Sequence, residues 1–165
     1  MTKKPQRGVF LLEALIAILI FSLGILGMVA MGSTAIAAQS DAQYRTEAAN
    51  YASEIVSAIT LDLNRANYNP ATLGNYAHNN VSGGPCAFGG AASTQPVVVS
   101  WVKRVSGVTD PKLGLPGATA ATLQVAVGAL NQVTVNICWQ PPSNAALPFA
   151  PMHQHTLVTY INGPT

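Results

Sequence analysis

From Ala14 to Ala38 the chain runs through twenty-five residues without a charge, and after Gln39 apolar side chains return in a helical period. The first stretch exceeds the ~20 residues that span a bilayer as a helix. In the second, Tyr44, Ala48, Tyr51, Ile55, Ile59 and Leu63 recur at spacings of four, three, four, four and four, which places an apolar stripe on one helical face. No proline falls between residues 9 and 63. The pattern therefore predicts one helix from Val9 to about Leu63, ~80 Å long at 1.5 Å per residue. Residues 9–38 are apolar all round, and residues 39–63 are amphipathic and need a cover.

Beyond residue 63 the texture changes. Asn64 to Gly90 is rich in Asn, Gly, Ala and Pro and reads as a long connecting loop. Four strands are predicted after it: Pro96–Val105, Ala121–Ala129, Gln132–Trp139 and Gln154–Ile161. Leu123, Val125 and Val127 share one face, as do Val133, Val135, Ile137 and Trp139, with a tight hairpin turn placed at Asn131-Gln132. Gly107–Gly117 and Pro141–Pro151 read as surface loops. The fold expected is α+β, a long N-terminal helix packed on a small antiparallel sheet of about four strands. One globular β domain over residues 64–165 is enough for a modest core.

One acid sits at the head of the apolar run. In Gly8-Val9-Phe10-Leu11-Leu12-Glu13-Ala14, preceded by Lys3, Lys4 and Arg7, Glu13 is a carboxylate whose insertion into a bilayer costs about 2.5 to 3.5 kcal/mol at the centre. Such a cost calls for a function. A secretory signal peptide has a short apolar core of ~7 to 15 residues followed by small residues at its cleavage site. Here the apolar run is too long, and the small residue at the polar junction, Gly8, precedes it. A cut after Gly8 removes the cationic leader 1–8, retains the helix, and makes Glu13 its fifth residue.

Gly8, a hydrophobic residue after it, and Glu13 five places past the junction resemble the prepilin leader of type IV pilins and type II secretion pseudopilins. The continuation Ala14-Leu15-Ile16-Ala17-Ile18-Leu19-Ile20-Phe21-Ser22-Leu23-Gly24-Ile25-Leu26-Gly27-Met28-Val29-Ala30-Met31 is closest to the PilV family of type IV minor pilins, the type IV pilus modification proteins. The close resemblance covers roughly the first forty residues. The family usually carries Phe directly after the cut, whereas this chain has Val9 there and Phe10 next. The Glu13 spacing keeps the cut after Gly8.

The resemblance implies a pilin-like fold and a nonenzymatic subunit. A prepilin peptidase cuts between Gly8 and Val9 and methylates the amine of Val9, and Glu13 pairs with the Val9 amine of an adjacent subunit during assembly. It also implies as partners other minor pilins, the major pilin and the inner-membrane assembly platform, in a complex that primes or caps a pilus used for attachment and twitching motility. Gly24, Gly27 and Gly32 each weaken the helix by roughly 1 kcal/mol relative to Ala. They suit either local unwinding on assembly or close helix packing in lipid. The alternative for Glu13 is an interfacial residue in a membrane anchor that is never cut. A type II secretion pseudopilin has the same architecture and couples the same priming step to protein export.

Charge sets the orientation and narrows the partners. Lys3, Lys4 and Arg7 precede the span, so the positive-inside rule places the N-terminus in the cytoplasm and the rest of the chain outside it. The resemblance implies a bacterial inner membrane, a periplasmic β domain and incorporation in the extracellular pilus. The formal +2 of the whole chain includes those three cations; without them five bases face six acids, a formal −1. No general affinity for polyanions follows. A DNA-binding pilin, the reading from another class, has only Lys103 and Arg104, with Trp101 and Lys112 near them, and alternation along a strand puts Lys103 and Arg104 on opposite faces. Phosphate binding generally needs more cations, so no nucleic-acid partner is expected.

Two cysteines remain, Cys86 and Cys138. In an oxidising periplasm such a lone pair most often forms one disulfide, the alternative being two separate buried thiols. Strand parity sets Cys138 opposite Val135 and Ile137, so a bridge ties the loop to the outer side of the sheet. His153 and His155 share a strand face but have no third ligand nearby, and His78 is isolated. No metal, cofactor or catalytic residue is predicted: the acids lie in the apolar run, along the helix and in one loop, and no carboxylate pair, Ser/His/Asp group or phosphate loop is present.

Overall fold

The computed structural model describes residues 7–65, 69–142 and 151–162. Residues 1–6 of the expected leader, residues 66–68 of the first loop and residues 143–150 of the last lie outside the described residues. The chain divides into two compact units, residues 1–42 and 43–165, and the helix α1, Arg7–Arg65, contributes to both. Unit one is the N-terminal part of α1. Its Phe10–Gly32 segment is strongly apolar, with a mean hydropathy of 2.7.

Unit two is an α+β domain with its own core. Within it Ala48, Ala52, Ile55, Ile59 and Leu63 of α1 are fully buried, and Tyr44, Tyr51 and Val56 pack half-buried beside them. The predicted stripe is thus the buried one, widened by Ala52 and Val56. Next comes a 3-10 turn over Pro70–Tyr76, where the Asn69 side chain accepts the Ala71 N–H at 3.0 Å and Pro70 occupies the first turn without wasting a donor. Tyr76 then donates its hydroxyl to Asp62 Oδ2 at 2.7 Å, which ties the turn back to α1. Burial first, then the hydrogen bond and charge of Asp62, push the Tyr76 phenol up to about 12.

The segment expected to be an irregular loop carries a two-stranded ribbon, β1 (Val81–Ser82) with β2 (Phe88–Gly89). Pro96–Val105 is helix α2, not a strand. Val98, Trp101, Val102 and Val105 fall on one helical face and are all buried. Read as a strand, the same residues put Lys103 on the face of Trp101 and Val105; read as a helix, they leave Lys103 exposed. Pro96 opens the helix with a fixed φ. Five valines favour a strand by intrinsic preference. Burial of one helical face outweighs the few tenths of a kcal/mol per residue that such preferences carry.

The remaining strands form one antiparallel sheet in the order β3 (Leu123–Val127), β4 (Gln132–Trp139), β5 (His153–Tyr160). Val125 faces Val135, and Val135 faces Leu157. The sheet therefore has three strands rather than four. A 3-10 turn at Ala120–Thr122 shortens β3 at its start, with the Thr119 N–H donating to Thr122 Oγ1 at 2.9 Å. The hairpin turns at Gly128–Asn131, with Leu130 and Asn131 in left-handed conformations, and Gln132 already belongs to β4. Leu123, Val125, Val133, Val135, Ile137 and Trp139 are buried on the inner face, in one core with α1 residues from Ala48 onward and with α2.

Candidate functional site

The first candidate is the apolar segment of α1. Phe10–Gly32, 23 residues, is long and apolar enough to cross a membrane, and none of it is buried within the chain. At 1.5 Å per residue it extends ~35 Å, against a hydrocarbon core of ~30 Å. Phe10, Leu26 and Met28 are 74%, 71% and 77% exposed. Ser22 spends its hydroxyl on the Ile18 carbonyl at 2.8 Å, so it offers little polarity to the outside. Glu13 is the one charged side chain in this segment, and it is exposed. Gly8 and Val9 lie in the first turn of α1. A Cβ built at Gly24, Gly27 or Gly32 meets nothing within 4 Å, so nothing in the single chain requires glycine there.

The second candidate is the outer face of the sheet. Cys86 and Cys138 are joined, Cα to Cα 5.6 Å, across 52 residues of sequence. Cys138 is fully buried although it sits on the face opposite Ile137, because the segment from His78 to Ser93 covers that face. His78 exchanges both backbone hydrogen bonds with Val125 at 2.9 Å. Asn79 donates to the carbonyls of Ala120 and Leu123 at 2.6 and 3.0 Å. Gln124 donates to the Asn79 carbonyl and accepts from Asn136, each at 2.7 Å, and Asn136 in turn accepts from Thr156 at 2.6 Å. This polar ladder was missed from sequence. Gln124 and Asn136 share the parity of Cys138, so the covered face could have been read from the cysteine.

The charged and histidine residues take separate roles. His153 stacks on Trp139 with ring centroids 5.6 Å apart, and its Nδ1 lies 3.2 Å from the Arg45 guanidinium. His153 and His155 are half-buried on the core side of β5. Among the described residues no group of three His, Cys, Asp or Glu could hold a metal ion. Arg104 forms an ion pair with Glu54, and Trp101 is buried with its indole N–H on the Tyr51 carbonyl at 2.9 Å. Lys103 and Arg104 are neighbours on the last turn of α2 rather than opposed along a strand.

Compared with protein-family models, curated proteins and solved structures, the chain matches none of them.

Proposed function

We propose that the protein is a minor type IV pilin of the PilV type, matured by a prepilin peptidase and assembled through the apolar part of α1. The observation that carries the reading is Glu13, a single carboxylate five residues past the Gly8-Val9 junction, at the head of a 23-residue apolar segment with no cover of its own. Such a surface has two stable environments, lipid and a bundle of like helices. Before assembly the segment spans the inner membrane, the cationic leader cytoplasmic and the β domain periplasmic.

Cleavage after Gly8 creates a new amine at Val9 four residues from Glu13. Between two subunits the amine and the carboxylate neutralise each other in low dielectric, so pairing favours docked over dispersed protomers and sets the stagger between them. The oxidised Cys86–Cys138 pair suits a domain held outside the cytoplasm. Partners are other minor pilins, the major pilin and the assembly platform, with priming or capping of the filament as the work done.

The test is incorporation. Glu13→Val and wild type are expressed equally, filaments are sheared from the surface, and the protein is quantified in both fractions. Glu13→Val is expected in the membrane at the wild-type level and several-fold depleted from filaments. Equal incorporation sinks the pairing of Glu13 with Val9.

A further inference from the structure

Unit two contains an open cavity of about 530 Å³ on the outer side of α2, between that helix, the 118–120 segment and Ala92-Ser93. Its volume lies in the range of small-molecule sites. Val99, Val102, Val108, Ala92 and Ala118 make its walls apolar, and the lining contains no acid and no aromatic ring apart from His78. Val108 is 72% exposed, an apolar side chain left beside an apolar cleft.

The polar groups around the cleft are almost all spent. The Ser93 N–H donates to His78 Nδ1 at 3.2 Å, so Nε2 carries the ring hydrogen and points it at the Ala120 carbonyl 3.1 Å away. The same carbonyl also accepts from Asn79. Ser106 donates its hydroxyl to the Val102 carbonyl, and the Lys103 carbonyl accepts from Val108. A peptide strand laid here finds few backbone partners, which argues against a protein occupant. The exception is the Lys103 ammonium, exposed at the rim and without a side-chain partner among the described residues. It also borders a second apolar groove on the other side of Val99, where Asp110 spends one carboxylate oxygen on the Lys112 N–H at 2.9 Å.

We infer that this cleft binds a short aliphatic monocarboxylate, its chain between Val99, Val102 and Val108 and its carboxylate on Lys103. An apolar slot with saturated walls rewards a hydrocarbon chain, and one unpaired cation at its mouth rewards one negative charge. The inference does not depend on the assembly role of α1.

The test uses the full chain in lipid nanodiscs with ¹³C-labelled valine methyls, titrated with hexanoate, heptanoate, octanoate and octanol against empty discs. Saturable shifts are expected at Val99, Val102 and Val108, with Val133 and Val135 in the sheet unmoved as the check on folding. Each added methylene tightens binding about fourfold, and octanoate binds about tenfold more tightly than octanol. Lys103→Met, a change at an exposed side chain, abolishes that preference while the sheet methyls stay in place. Absence of saturable shifts at the three valines, uptake by the discs alone, affinity independent of chain length, or an unchanged preference in Lys103→Met overturns the inference.

Discussion

Single side chains in the β domain perform tasks that can be measured one at a time. Cys86 anchors the covering segment to β4, and closing 52 residues stabilises by about 4 kcal/mol on the chain-entropy account. Cys86→Ser is expected to lower the unfolding free energy by that order, and reduction of the wild type to give the same midpoint; equal midpoints for variant and oxidised wild type contradict it. Tyr76 supplies a pH signature. Its folded pKa, about 12, lies above the roughly 10 of an unfolded tyrosine, so its contribution is complete below pH ~10 and is lost as pH rises through about 12. Tyr51, whose pKa is also raised chiefly by burial, acts with the same sign. Stability measured from pH 9 to 12 should therefore fall less steeply in Tyr76→Phe than in wild type, and parallel curves contradict the assignment. At this scale the cysteine pair and its outer face are legible in the sequence from parity alone. The Gln124–Asn136–Thr156 ladder is not, because its partners come from three strands whose register no local pattern gives.

Elements were legible where periodicity ran long. Five or more turns of stripe from Tyr44 to Leu63 leave only a helix as a consistent reading, and β4 alternates polar and apolar residues from Gln132 to Ile137. Pro96–Val105 is the instructive error: ten residues rich in valine satisfy strand preference, and only the position of Lys103 distinguishes the two periods. The helix has a sharp consequence. Ser100→Pro, an exposed position inside α2, removes a backbone donor and clashes with the preceding turn, costing ~3 kcal/mol or more. Thermal unfolding of that variant should show a drop of several degrees, whereas a change within error contradicts α2. The ribbon β1–β2 was hidden for another reason: each strand has two residues, too few for any period to register.

For the whole molecule, the contrast between its two units carries the functional argument. The β domain has a buried apolar core drawn from α1, α2 and the sheet, and no part of Phe10–Gly32 is buried. The uncovered segment is the surface on which the proposed assembly rests. Gly24 and Gly27 belong to this scale, since a Cβ built at either meets nothing within 4 Å in the single chain. The double variant Gly24→Ala with Gly27→Ala is expected to accumulate in membranes as wild type and to be reduced in sheared filaments, through the loss of close helix approach or of local unwinding. Undiminished incorporation removes any assembly role for the two glycines.

The central claim, a subunit cut between Gly8 and Val9, is tested most directly by intact mass under nonreducing conditions, on protein from membranes and sheared filaments, with and without the peptidase. The account predicts a chain beginning at methylated Val9 in filaments, with Cys86 and Cys138 oxidised, and an unprocessed chain confined to membranes when the peptidase is absent. An uncut chain of the same mass in both strains contradicts it and leaves a membrane-anchored domain with Glu13 at the interface.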